Sequence, residues 1–246
     1  KTYDFAKAIY VVGSQQELHF KQLFSVIEKM GYEWYKDMVH VQFGMVALEE
    51  GTMSTRKGRV VFLEDVLHQA IDKTKEIIEE KNPDAENIDE IAKEVGVGAV
   101  VFQELSNSRI KDYTFSWERT LSFEGETGPY VQYTHARCCA VERKANTEIT
   151  SDINFDLLSD EEASDVLKVL ETFNKSIMLA MSKNEPHIVT RFVLDLAQAF
   201  NKFYHNSPIL FDDEELRKAR LALVECTRQT IENALKLLGM QAPIKM

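Results

Sequence analysis

The chain is poor in the residues that staple or metal-pin a fold. Of 246 residues only three are cysteine: Cys138 and Cys139 are adjacent, Cys226 is distant, and no Cys-x-x-Cys pair or His/Cys cluster has zinc-site spacing. This argues against a metal site, and thiols without evident partners suit a reducing cytosol. No apolar run approaches the roughly 20 residues that cross a bilayer, and Lys1-Thr2-Tyr3-Asp4 has no export segment behind it, so no membrane partner is expected. No methionine precedes Lys1, which points to a processed or truncated product. Basic residues are the minority: 29 against 40 acidic ones leave a net charge of −11. A polyanion therefore cannot be attracted by the whole surface and requires a local basic patch. Internal repeats and low-complexity segments are also missing.

What is present suffices for two modest domains, with 44% hydrophobic residues to fill their cores. Ala8-Ile9-Tyr10-Val11-Val12 reads as a buried strand ended by Gly13-Ser14. Phe20, Leu23, Phe24 and Ile27 then recur at helical spacing up to a stop at Gly31, and 39–46 reads as a second strand. Strand, helix, strand makes one βαβ unit. Because two strands and a helix form a poor domain alone, the chain is expected to begin inside the second half of a doubly wound nucleotide-binding fold.

Helical patterns follow over Leu63 to Ile78, broken by Asn82-Pro83, and over Ile88 to Phe102. Residues 112–128, aromatic and glycine-containing, read as an irregular ordered loop. The remainder reads as a helical bundle. Ser159-Asp160-Glu161-Glu162 matches a capping box, and Val166, Leu170, Phe173, Ile177 and Met181 share one face behind it. Pro186 opens the next helix, and Asp213 begins another that runs to a stop at Gly239.

Two stretches carry chemistry. The loop 49–59, with Met53-Ser54-Thr55-Arg56-Lys57-Gly58 at its centre, sets small residues and hydroxyls beside three cations, as a phosphate chain requires; a solvated surface turn is the plainer alternative. The segment Gly128-Pro129-Tyr130-Val131-Gln132-Tyr133-Thr134-His135-Ala136-Arg137 places Tyr130, Tyr133 and Arg137 on one helical stripe behind a Gly-Pro start. With Arg143 and Lys144 against only Glu142, this is a basic stretch in an acidic chain. Aromatic rings and guanidinium planes stack on unpaired RNA bases at roughly 1–3 kcal/mol per base, although tyrosines on an amphipathic helix also serve as core.

Together these motifs resemble the carboxyl-terminal part of class I arginyl-tRNA synthetases, and the resemblance covers essentially the whole chain. It implies an α/β plus all-α architecture. Residues 1–125 would be the second half of a Rossmann-like catalytic domain with a helical connector, and 126–246 an all-helical anticodon-binding bundle of the DALR type. The loop resembles a form of the family's second signature, which makes Ser54, Thr55, Arg56 and Lys57 the catalytic candidates that stabilise departing pyrophosphate. Phe43, Gly44 and Met45, through their backbone, and Met53 are the ATP-binding candidates, with plain buried strand residues as the alternative for the side chains at 43–45. Gln16 falls where the family touches the substrate arginine, with a helix cap as the alternative. Tyr130, Tyr133, Arg137 and the terminal Met246 are the anticodon-binding candidates, a frayed tail being the simpler reading of Met246.

The family implies ATP and Mg2+ as substrates, with no tightly held cofactor, and L-arginine and tRNA(Arg) as partners rather than DNA. The expected location is cytoplasmic. His-x-Gly-His, the other class I signature, is absent from the sequence, so this chain alone is expected to bind tRNA without charging it. Two rival readings are a stand-alone RNA-binding module derived from a synthetase and a helical protein-interaction scaffold.

Overall fold

The structure is a computed structural model that describes residues 4–48, 61–81, 86–147 and 152–246. Strand β1 (Ala8–Gly13), helix α1 (Glu17–Lys29) and strand β2 (Met38–Phe43) form the expected βαβ unit, paired in parallel from Ala8 with Met38 to Gly13 with Phe43. Gly31 ends the helix region at φ +82°, a left-handed conformation that glycine adopts without strain. From α1 the buried Phe20 packs on Tyr10 and stacks on His40 at 4.2 Å, and His40 Nε2 pairs with the Val12 carbonyl at 2.9 Å. The expectation of a buried β1 is corrected on one face. Ile9 and Val11 are 51% and 65% exposed, because α1 covers only the face that carries Tyr10.

The chain continues through β3 (Val46–Leu48), α2 (Leu63–Lys81), α3 (Ile88–Ser106), β4 (Tyr113–Phe115) and the single turn α4 (Trp117–Thr120). Here two expectations change. The strand read over 39–46 breaks after Phe43, and its last residue, Val46, begins a strand of a second parallel sheet, β3 with β4. The cause is a crossing segment: Gly44 N donates to the Arg109 carbonyl at 2.7 Å, Met45 N to Asp112 Oδ1 at 2.6 Å, and Tyr113 N to the Met45 carbonyl at 3.1 Å. A Cβ on Gly44 would sit 2.5 Å from the Lys111 carbonyl, so only glycine permits the approach. The stretch 112–128 is accordingly not wholly irregular, since it supplies β4 and α4.

Helices α2 and α3 pack back to back. Gly96 of α3 lies so near α2 that a Cβ there would reach the Ala70 carbonyl at 2.8 Å. Ile78, Ile91, Ala92 and Val95 fill one patch between them, and Ala70, Ala99, Val100, Phe115 and Leu121 another.

The bundle comprises α5 (Gly128–Ala145), α6 (Glu161–Glu171), α7 (Phe173–Lys183), α8 (His187–Asn206) and α9 (Glu214–Leu237). The capping box shifts by one residue. Asp160, not Ser159, caps α6: its Oδ1 accepts from Ala163 N at 2.9 Å while Oδ2 pairs with Arg220 Nη2 at 3.1 Å, a bridge that serine lacks the second oxygen to make. The stripe from Val166 to Met181 is divided at Thr172 between α6 and α7, which leaves Met181 exposed. Asp213 caps α9 as the sequence predicts, accepting from Leu216 N at 3.1 Å. Leu196, Phe200 and Phe203 of α8 are fully buried at its centre, each worth about 1.5–3 kcal/mol of transfer free energy.

Arg109 joins the sheets to this bundle. Its Nη1 donates to the Gln42 carbonyl at 2.8 Å, and its Nε reaches the Asn184 carbonyl at 3.1 Å and Glu185 Oε1 at 3.3 Å, in the turn between α7 and α8. No described helix is long and apolar enough to cross a membrane.

Candidate nucleic-acid interface

Helix α5 divides its residues between interior and cleft. Thr127 caps it, accepting from Tyr130 N at 3.2 Å, and Pro129 fits the first turn, where its missing N–H costs no hydrogen bond. Val131, Gln132, Thr134, His135 and Cys138 point inward and are buried. One residue further round, Tyr133 is 40% exposed, and the Arg137 guanidinium lies between two rings, 4.9 Å from the centroid of Tyr133 and 5.0 Å from that of Tyr204 on α8.

Asn201 fixes this sandwich. Its amide donates to the Tyr130 hydroxyl and to Thr134 Oγ1, both at 2.9 Å, and its Oδ1 accepts from Arg137 Nη1. Tyr130 is thereby half-buried, its ring against the bundle core. The three stripe residues thus do not face outward equally. Tyr133 and Arg137 open to the cleft, whereas Tyr130 orients Asn201 and shows the cleft only part of its ring.

Arg137 and Tyr133 stand where two recesses meet. One, of about 600 Å3, runs past Ile78, Lys81, Phe123 and Tyr130; the other, of about 520 Å3, runs past Glu86, Arg143, Tyr204 and Lys245. Met246 lines both. The tail that carries it is not frayed: Gln132 Nε2 donates to the Gln241 carbonyl at 3.0 Å, His135 Nδ1 pairs with the Pro243 carbonyl at 2.9 Å, and Arg143 Nη1 donates to the Ile244 carbonyl at 2.9 Å. Lys81, Arg137, Arg143 and Lys245 line the two recesses against Glu86, which pairs with Lys245 at 3.5 Å, and Glu124, a local excess of positive charge in a chain of net charge −11.

Comparison with known proteins gives the family. The profile for "tRNA synthetases class I (R), catalytic domain" matches residues 1–117, and that for the "DALR anticodon binding domain" matches residues 131–246. The whole chain is 76% identical to the arginine–tRNA ligase of Clostridioides difficile (strain 630) and 59% identical to that of Halothermothrix orenii. The chain belongs to the class I arginyl-tRNA synthetase family. It spans 44% of the length of these two relatives. The solved Thermus thermophilus arginyl-tRNA synthetase superposes with a TM-score of 0.87 at 31% identity, over 98% of this chain and 41% of that one. The fold is therefore part of the synthetase α/β catalytic domain followed by the helical anticodon-binding bundle.

The catalytic-side candidates are spread more widely. Gln16 is exposed and occupies the N-cap position of α1, where its side chain makes no capping hydrogen bond. Phe43 and Met45 are exposed side chains, whereas the Gly44 and Met45 amides are already bonded to Arg109 and Asp112. Met53, Ser54, Thr55, Arg56 and Lys57 lie outside the described residues. Among the described residues, no group of three His, Cys, Asp or Glu side chains could hold a metal ion.

Sequence reading missed Asn201, Tyr204 and Lys81; Phe123 lies in the 112–127 segment that the family resemblance sets as a loop beside α5, and it lines the recess there. A signal for the first two existed: they sit three residues apart on α8, each directly after a buried phenylalanine, Phe200 and Phe203. Lys81 had none, because the fold alone brings the end of α2 to α5.

Proposed function

We propose that this chain is the part of an arginyl-tRNA synthetase that grips the anticodon loop of tRNA(Arg), with residues 1–125 serving the catalytic domain and 126–246 the anticodon. The whole protein joins L-arginine to that tRNA through arginyl-adenylate, using ATP with Mg2+, in the cytoplasm. The observation that carries this reading is the Tyr133–Arg137–Tyr204 sandwich at the junction of two recesses. Rings held in place before binding lose little rotamer freedom when a base stacks on them, and a guanidinium fixed by Asn201 offers its remaining N–H groups to a phosphate or a base edge.

On the catalytic side, Ser54, Thr55, Arg56 and Lys57 stabilise the charge that develops on pyrophosphate, Met53, Phe43, Gly44 and Met45 seat the adenosine, and Gln16 meets the arginine side chain. Adenylate formation needs alignment and charge stabilisation rather than a protein base. Because the two amides at 44–45 are occupied, adenine packs on the exposed side chains of Phe43 and Met45.

The test is titration of the purified chain with a tRNA(Arg) transcript at two salt concentrations. Salt-dependent binding that weakens by about 1–3 kcal/mol in Tyr133→Ala is expected, with no aminoacylation by this chain alone. Binding indifferent to salt and to Tyr133 refutes the RNA reading.

A further inference from the structure

The motif on α5 contains Gln132 and His135 between its cleft-facing residues, and neither reaches the cleft. Both are fully buried. Each instead bonds a main-chain carbonyl of the last residues of the chain, as does the exposed Arg143 two turns further along the helix. The carbonyls gripped, those of Gln241, Pro243 and Ile244, nearly follow one another, so the tail is held along its length on this face. Pro243 is buried, and its nitrogen brings no N–H that would go unpaired there.

Two further observations show where the tail is aimed. Met246 packs against the patch of Ile78, Ile91, Ala92 and Val95, beside Phe123, which makes it part of the recess wall. Gln132 Nε2 also bonds the Glu94 carbonyl of α3 at 3.2 Å, and it occupies the space that a Cβ on Gly98 would take, 2.8 Å from that amide nitrogen. The grip therefore joins three bodies: the connector helices, the first helix of the bundle and the tail.

We propose that Gln132, His135 and Arg143 are positioning residues that clamp the tail's main chain so that Met246 closes one side of the RNA recess beside Tyr133 and Arg137. This rests on the RNA reading of that recess. The clamp reads the path of the tail and not its sequence, because every contact is to a carbonyl. For His135 to donate to Pro243 the proton must sit on Nδ1, which the neutral ring allows; burial lowers this histidine's pKa and favours the neutral form.

The experiment uses the full chain with 13C-labelled methionine methyl groups, the Met246 signal being identified by its loss in Met246→Leu. In His135→Leu and in Arg143→Ala the Met246 methyl is expected to sharpen and move toward the position of an unstructured methionine, while the signals of core methionines such as Met240 stay in place. His135→Asn, which returns a donor near the Nδ1 position, is expected to restore it. Arg143 is exposed, so its variant keeps the test alive should His135→Leu fail to fold.

A fluorescent RNA hairpin carrying the tRNA(Arg) anticodon loop supplies the second arm. Met246→Ala is expected to weaken binding at least threefold in the parent chain and to have no further effect in the His135→Leu background. An unmoved Met246 signal in both clamp variants overturns the clamp, as does an equal effect of Met246→Ala in both backgrounds. If the parent chain does not bind the hairpin at all, the RNA reading of the recess fails, whatever the methyl spectrum shows of the tail.

Discussion

Replacing Arg137 with glutamine separates what this side chain does for the fold from what it does for RNA. In the folded chain the guanidinium makes contacts to two half-exposed rings, each worth about 0.5–1 kcal/mol, and one hydrogen bond to Asn201 that a glutamine amide can replace. The cost to stability is therefore about 1–2 kcal/mol, which for a chain of this size lowers Tm by roughly 2–8 °C and leaves it folded at room temperature. The cost to RNA binding is the loss of a charged donor. A hydrogen bond to a charged group is worth about 1.5–3 kcal/mol, or a factor of roughly 10 to 150 in Kd. If the partner is a loop phosphate, the slope of log K against log salt also falls by about 0.7, the value for one single-strand contact. Fluorescence anisotropy of the labelled hairpin across a salt series measures both quantities on protein that melts cooperatively. A variant that stays folded yet keeps the parent's affinity and salt slope would show that Arg137 is only a strut between two tyrosines.

Two other perturbations test the framework. Gly44→Ala drives a methyl group into the Lys111 carbonyl and the Asp112 amide, so a loss of about 1–3 kcal/mol is expected, read as a lower Tm by calorimetry; an unchanged Tm would mean that the crossing segment gives way. His135 is held below its ordinary pKa chiefly by burial, with the cations Arg228 and Lys236 adding to the effect and Glu232 and the Pro243 carbonyl opposing it. The native state therefore resists protonation more than the unfolded chain does. This contribution is complete above the unfolded value of about 6.5 and is lost as pH falls below it. Melts across that range should show stability falling with acid, less steeply in His135→Asn, and identical slopes in the two proteins would remove His135 from the account.

Much of the architecture was legible because it rests on local rules. Apolar spacing located α1, α2, α3 and α8, Asp213 and Gly239 bounded α9, and Gly31 marked the end of α1. The errors share a different origin. The break after Phe43 and the Asp160 cap depend on partners distant in sequence, the 108–113 segment and Arg220, and the exposed face of β1 on how little of the strand one helix covers. The recess shows the same division. Tyr133 and Arg137 could be found from their spacing, whereas Tyr204, Asn201 and Lys81 arrive from other elements, and the roles of Gln132 and His135 are visible only where the tail lies against them.

The second sheet also makes a statement about the order of folding. β3 and β4 share three residue pairs, too few to persist alone, and the chain between them must first wind through both long connector helices. Closing so long an excursion for so small a reward requires that α2 and α3 already be packed. Amide exchange at Tyr113–Phe115 should therefore track the integrity of the helical hairpin.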